Sequence, residues 1–302
     1  MHIILTNYGY ESQIVATNAE NFNLSFIKRH ANIRIVKNFS EIKENEYDIL
    51  MVNSDQSWRK WDNDFYDIAF LKFANNWNIN KFTYAVSLGF KKWKYTKKDD
   101  QIARLLLKNF TGISVREKNS VKLIKKHLGV NSILVLDPTL LINKEYYLKI
   151  IKNYKTNYIN ENYIFTYKVT FSKPIKYLYL MNNLIKKASE IFNYKIINVN
   201  EYEEDSVEKF LSGIYHCKAV ITNSFHATLF SIMFKKPFIS FRKDEDERLY
   251  SLRELLNLKS RIIEYNKKPD INLLNKKVYF NTFKFKFIKK RSIKYLKDNL
   301  KK

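Results

Sequence analysis

The stretch Ala219–Phe241, AVITNSFHATLFSIMFKKPFISF, constrains this chain most, because it reads as strand, sharp loop, helix and strand within one short run. Ala219-Val220-Ile221-Thr222 is apolar and β-branched, which suits a buried strand. Asn223-Ser224-Phe225 carries turn and cap chemistry. Ala227–Phe234 has the apolar character of a buried helix, and Pro237 opens another apolar strand. A strand followed at once by a helix and a second strand is one βαβ unit, so the parent sheet is parallel. In such sheets ligands bind at the carboxyl ends of strands. His226 falls at that place, where the loop becomes the helix. The helix N-terminus offers N–H groups and positive dipole to a phosphate or carboxylate. The plainer alternative is that Ser224 only caps the helix and His226 is a packed polar residue.

The same alternation runs along the rest of the chain. Strand-like runs are Asp48–Val52, Phe82–Ser87, Gly112–Arg116, Ile133–Leu136, Tyr163–Tyr167, Tyr194–Val199, Ala219–Thr222 and Pro237–Phe241. Met1–Leu5 also reads as a strand, the first of the chain. Helical runs are Lys98–Phe110, Ser120–Leu128, Lys176–Phe192, Val207–His216 and Ala227–Phe234. The expected architecture is α/β, with two Rossmann-like domains facing one another across a cleft. Residues 1–142 form the first and 160–280 the second. Asn143–Glu161 is a helix plus connector between them. Residues 281–302 form a basic helix with Ile288, Ile293, Leu296 and Leu300 as its apolar stripe. It closes the molecule by packing back across the domains; the alternative is a membrane-binding arm.

Composition limits the partners. With 45% hydrophobic residues and 16% aromatic, the 302-residue chain can build real cores. No apolar run reaches membrane-spanning length and no signal peptide opens the chain, so the expected location is cytoplasmic. The single cysteine, Cys217, excludes an internal disulfide and reads as a buried thiol. His2, His30, His127 and His216 are scattered without metal spacing, so no metal is expected. Five glycines are too few for a glycine-rich nucleotide loop, and no P-loop or nucleophile elbow occurs. The formal charge of +24 is spread over the whole chain without a nucleic-acid motif. It reads as compositional bias, with peripheral contact to an anionic membrane face as the second explanation.

Three further strand exits carry polar residues towards a sheet edge. Asn53-Ser54-Asp55-Gln56 follows Asp48–Val52; Asp55 can accept from a sugar hydroxyl or simply cap the next element. Trp58 and Trp61 can stack on a sugar but suit buried packing better. Ser87-Leu88-Gly89 ends the next strand, where Gly89 permits a ligand's close approach or an ordinary turn. Arg116 ends Gly112–Arg116, and its fork suits a carboxylate or phosphate; the alternative is an ion pair with Glu117 or another acid. Leu136-Asp137-Pro138-Thr139 is a proline-set turn, read as structural. Lys243 follows the last strand, and Arg248 opens an amphipathic helix beyond the acidic run Asp244–Glu247. Either is a second cation, and Arg248 is equally suited to pairing with those acids.

Taken in order, YDILMVNSDQSW, FTYAVSLG, FTGISVREKNSV, LVLDPTLL, VITNSFHATLFSIMFKKPFI and RLYSLRELLNLKSRI resemble the polysaccharide pyruvyl transferase family. The resemblance covers roughly residues 20–300 and is most specific at SVREK and NSFHA. It implies a glycosyltransferase-B-like fold with a shortened first domain, since family members begin with an additional strand–loop–helix unit. It also implies transfer of an enolpyruvyl-derived group from phosphoenolpyruvate, without another cofactor, to sugar hydroxyls of a cell-surface polysaccharide or its lipid-linked precursor. On the matching positions, His226 and Arg116 are catalytic. Arg116, Ser224, His226, Lys243 and Arg248 hold the donor, and Ser54, Asp55, Gln56, Ser87 and Gly89 line the acceptor side. Asn53 and Ala227 stand where the family has glycines, and Asp246 falls near the family's second cation. A sugar-nucleotide glycosyltransferase and a non-catalytic glycan-binding relative are the competing expectations.

Overall fold

The computed structural model describes residues 1–17, 24–53, 55–60, 65–152, 154, 161–169, 175–199 and 206–301. Contacts divide the chain into two compact units. The first is Met1–Leu141 with Glu245–Leu252 and Thr282–Lys302; the second is Ile142–Asp244 with Arg253–Asn281.

The chain opens with α1 (His2–Asn7), β1 (Gln13–Ala16), α2 (Leu24–His30), β2 (Asn32–Ile35), β3 (Ile49–Val52) and α3 (Phe65–Phe70). It continues through β4 (Asn80–Thr83), α4 (Lys97–Leu107), β5 (Ser114–Val115), α5 (Lys118–Leu128) and β6 (Ile133–Leu134). These belong to the first unit. The expected strand at Met1–Leu5 is instead the helix α1, with Ile4 and Leu5 buried. A short apolar run does not distinguish a strand from one helical turn, and here the Thr6 hydroxyl bonds back to His2 O, four residues earlier. The first strand is β1, paired in parallel with β2.

The pairs β3–β4 and β5–β6 are also parallel, and bridges from Phe82 to Gly112 and Val86 to Val115 join them. The expected strand Phe82–Ser87 is cut at Thr83 because Ala85 adopts φ +53, which breaks the ladder. Hydroxyls replace the lost bonds: Ala85 N donates to Ser114 Oγ at 3.0 Å, and Ser114 N donates to Thr83 Oγ1 at 2.8 Å. Under these strands Trp58, Phe65, Phe70 and Tyr95 form an aromatic core. Trp58 is fully buried, and its indole N–H donates to Ala69 O at 2.7 Å, so it packs rather than faces a ligand. Trp61 lies outside the described residues.

Asp99 fastens the loop after β3 to α4. Thr96 and Asp99 form a reciprocal capping box, and Lys60 Nζ reaches the Asp99 carboxylate at 2.9 Å. Tyr66 of α3 donates to the same carboxylate. Burial would raise the Asp99 pKa, but these bonds outweigh it and hold the group well below the usual carboxylate range. Its contribution to stability is therefore present above the ordinary carboxylate pKa and is lost as pH falls towards the depressed value. Asp99→Ala is expected to cost about 2 kcal/mol at neutral pH. In urea titrations across acid pH, the difference from the parent protein should shrink as the medium is acidified.

The second unit holds α6 (Lys144–Lys152), β7 (Tyr163–Tyr167), α7 (Ile175–Phe192), β8 (Lys195–Asn198), α8 (Ser206–His216), β9 (Ala219–Thr222), α9 (Phe225–Met233) and β10 (Phe238–Arg242). After α10 (Glu247–Leu256), which the two units share, β11 (Ile262–Glu264) completes its sheet. All pairings are parallel, in the order β11-β10-β9-β7-β8. Strands β7, β9 and β10 are buried almost throughout, as expected of a sheet covered on both faces. Each fully buried Ile or Phe there contributes roughly 1.5–3 kcal/mol. Cys217 is buried as expected, and burial pushes its thiol up to about 12.

The last helix, α11 (Thr282–Leu300), belongs to the first unit. Ile288, Leu296 and Leu300 of the expected stripe are buried, and Ile293 is half-buried. Tyr295 OH donates to Thr83 O at 2.9 Å, and Leu136 N donates to Ser292 Oγ at 2.9 Å. The helix lies so close to Gly112 that a Cβ there would meet Asn299 Oδ1 at 2.3 Å. Glycine is what lets it dock.

Candidate active site

The order of the second sheet puts its topological switch between β7 and β9, where two successive connections leave on opposite faces. Ligands of doubly wound sheets bind at the carboxyl ends of such strands. From β9 the chain passes through Asn223 to Ser224, the N-cap of α9, whose hydroxyl accepts from Ala227 N at 3.3 Å. His226 is thus in the first turn of the helix, half-buried, with its ring edge-on to Phe225 at 5.4 Å between centroids. The Thr228 hydroxyl lies 2.8 Å from both Ser224 O and Ser240 Oγ, which stitches the helix start to β10.

Asn223 locks the switch from the other side. Its Oδ1 accepts from Val169 N at 2.7 Å, and its Nδ2 donates to Val169 O at 3.1 Å. The Thr222 hydroxyl donates to Tyr167 O at 2.6 Å. The exit of β7 is therefore held beside the exit of β9, and Lys168 is part of it. Lys168 Nζ donates to Asn182 at 2.8 Å, and burial lowers its pKa. Lys243 stands at the exit of β10, the next strand over. Lys168, His226 and Lys243 thus follow three neighbouring parallel strands at one sheet edge. Arg242, just before Lys243, is buried and pairs with Glu264 at 3.0 Å.

In the first unit the corresponding edge is built around Arg116. Its side chain is 1% exposed; Nη1 lies 2.6 Å from Asp137 and Nη2 lies 2.9 Å from Asp55. Glu117, fully buried, is 3.8 Å from Nε. Burial raises the Glu117 pKa, against the pull of Arg116, while Ser87 and Ser120 donate to its oxygens. The ion-pair alternative for Arg116 is therefore the arrangement present, and Asp137, read as structural from the sequence, is its main partner. Asp55 differs from the others because its side chain is 67% exposed. It has φ +94, and its backbone bridges to Val86, so its position is set by the sheet as well as by Arg116.

The remaining expected residues are distributed as follows. Ser87 is buried against Glu117, and Gln56 covers Gly89 so closely that a Cβ there would meet Gln56 Oε1 at 2.7 Å. Gly89 has φ +66, so its glycine is needed for conformation as well as space. Ser54 lies outside the described residues. Arg248 belongs to the first unit, where it bonds Asp246 through Nη2 at 3.2 Å. Arg59 is near enough that Arg248, after burial, lowers its pKa. Arg116 and Arg248 thus lie in one unit, and Ser224, His226 and Lys243 in the other.

A family model described as polysaccharide pyruvyl transferase matches residues 3–245. The chain belongs to the polysaccharide pyruvyl transferase family. No curated protein matches it. Among solved structures, the UDP-GlcNAc 2-epimerase of Methanocaldococcus jannaschii, in complex with UDP-GlcNAc and UDP, is 14% identical with a TM-score of 0.55. The match covers 97% of this chain and 93% of that one. HepE of Anabaena, in complex with UDP, is 9% identical with a TM-score of 0.51, over 90% and 83% of the two chains. At such identities the likeness is one of fold, and it makes this pyruvyl transferase family member a glycosyltransferase-B-like α/β protein.

Within this family member, Lys168 and Arg59 were not singled out from the sequence, and Asn223 was read only as turn and cap chemistry. Lys168 and Asn223 gain meaning only from the strand order, which places the β7 exit beside β9. Arg59 had one available signal, its place directly after the NSDQSW string.

Proposed function

We propose that this protein transfers the enolpyruvyl-derived group of phosphoenolpyruvate to hydroxyls of a polysaccharide sugar or its lipid-linked precursor, closing a pyruvate ketal. The observation that carries the proposal is His226 in the first turn of α9, at the switch between β7 and β9, with Lys168 and Lys243 on the flanking strand exits. Phosphoenolpyruvate carries a phosphate and a carboxylate. Two ammonium groups and a helix N-terminus match that pair of charges. Family membership supports the pyruvyl transfer.

The chemistry has two stages. One sugar hydroxyl adds through oxygen to C2 of the enol phosphate, while C3 takes up a proton and the hydroxyl loses one. A second hydroxyl then displaces phosphate from C2 and closes the ketal, its proton leaving with the phosphate. Histidine titrates near neutrality and can carry protons in both directions, which suits His226 to this exchange. Ser224 fixes the helix start, and Asn223 fixes the β7 exit that bears Lys168. In the first unit, the exposed Asp55 carboxylate is the group suited to accept from a sugar hydroxyl. Arg116 acts as its positioning residue, and Ser87 acts through Glu117. Gln56 and Gly89 shape the same loop. Arg248, with Arg59, gives the first unit positive charge of its own.

The test is release of inorganic phosphate from phosphoenolpyruvate by the full chain, assayed with a panel of lipid-linked and free oligosaccharide acceptors. Acceptor-dependent release, with a ketal in the product by NMR, is the expected result. The UDP complexes of the two fold relatives favour a second reading, sugar-nucleotide chemistry in the same fold. Saturable binding of UDP-sugars, with no response to phosphoenolpyruvate under any acceptor, would replace the first reading with the second.

A further inference from the structure

The helix α11 is amphipathic in an unusual sense, since its second face is not simply polar. Its inner face is fixed to the first unit by Ile288, Ser292, Tyr295, Leu296 and Leu300, all buried. Bonds from Tyr295 to Thr83 and from Leu136 to Ser292 fix its rotation about its own axis. The opposite stripe follows spacings of three, four and seven residues from Phe283, through Lys286, Phe287, Lys290, Lys294 and Lys297. All six are exposed. Phe283 is 79% exposed and Phe287 60%, although apolar aromatics of this size are normally covered. The helix carries six lysines and Arg291 against a single acid, Asp298, which pairs with Lys294 at 2.8 Å. Lys297 lies over the Tyr8 ring at 5.1 Å. In the N-terminal half, Lys286 and Lys290 flank the two phenylalanines, and all four are exposed.

We infer that this stripe docks the protein on an anionic lipid bilayer. Two adjacent rings one helical turn apart enter the boundary between headgroups and acyl chains, while the lysines beside them reach lipid phosphates. Each lysine near an anionic surface strengthens the attraction, and the whole chain, at a formal +24, is attracted in the same direction. The phenylalanines decide between partners: a polyanion in water satisfies the lysines but gives the rings nothing to enter. Among the described residues no helix is long and apolar enough to cross a membrane, so this contact lies on the surface. The inference stands independently of the proposed chemistry and places the protein where a lipid-linked acceptor is presented.

The experiment is co-sedimentation of the full chain with vesicles of phosphatidylcholine, alone and mixed with phosphatidylglycerol. Binding to the mixed vesicles and little to the neutral ones is expected. Phe283→Ser/Phe287→Ser should weaken it by about tenfold or more at unchanged salt sensitivity. Lys286→Glu/Lys290→Glu should weaken it comparably and flatten the salt dependence. Both pairs are exposed, so unchanged thermal midpoints will show that the fold is intact. Equal binding to neutral and anionic vesicles overturns the inference, as does binding indifferent to the phenylalanine pair. Capture by soluble heparin with the same dependence on both phenylalanines overturns it in favour of a glycan partner.

Discussion

Arg116→Met is expected to cost about 3–5 kcal/mol of stability, because it leaves buried carboxylates without their cation. Asp137 and Glu117 have almost no exposed side-chain surface, and Arg116 lies 2.6 Å from the first and 3.8 Å from the second. Methionine preserves much of the packing volume, so the loss reports the charge. Asp55 contributes little to the cost, being 67% exposed and able to turn to water. The pH dependence has a definite sign. Burial already holds the Glu117 pKa above its unfolded value, opposed by Arg116. Without Arg116 the folded state binds protons more tightly still. Stability of the variant should therefore be best preserved at acid pH and fall more steeply than the parent's as pH rises through the carboxylate range. Denaturant titrations at several pH values measure both effects. Adding Asp137→Asn should restore part of the loss, since the buried negative charge is then gone. A cost below about 1 kcal/mol would mean that the cluster does not hold this edge of the sheet.

Strands β7, β9 and β10 of the second unit were legible because they are buried almost throughout and read as continuous β-branched and aromatic runs, whereas β11 lies outside the expected strands. Tyr163–Tyr167 and Ala219–Thr222 carry such runs and occur where expected. The first unit was harder. Its strand β1, Gln13–Ala16, is only partly buried, and Met1–Leu5 imitates a strand while forming a helical turn. Phe82–Ser87 looks continuous in sequence, but the positive φ at Ala85 and the hydroxyls of Thr83 and Ser114 divide it. At the site, the local pattern was enough to place His226 and Ser224 at the start of a helix, because the strand, cap and helix signals are adjacent. Lys168 and the bonds of Asn223 to Val169 were not legible, since β7 and β9 meet only through a parallel crossover. The occupants of the Arg116 fork were half legible: Glu117 is its sequence neighbour, whereas Asp137 arrives from the turn after β6.

Replacing His226 with asparagine is expected to lower kcat for acceptor-dependent phosphate release by about 10²–10⁴. Asparagine keeps a hydrogen-bonding side chain of moderate size in the first turn of α9 but cannot carry a proton at neutral pH. The helix cap resides in Ser224 and the stitch to β10 in Thr228, so the substitution leaves both in place. An unfolding free energy within about 1–2 kcal/mol of the parent's is expected, as for a half-buried residue that loses a ring contact but bears no cap. The binding of phosphoenolpyruvate should weaken much less than the rate, because the proposed reaction assigns the charge that holds it to Lys168 and Lys243. The pH profile separates the chemical role from a packing role. The parent should show a limb between pH 5 and 8 that reports an ionising imidazole, and the variant should lose that limb. Stopped turnover with intact phosphoenolpyruvate binding would place His226 in the proton transfer. An equal loss of affinity and rate, with the limb retained, would show instead that His226 serves the shape of the loop and that another group carries the proton.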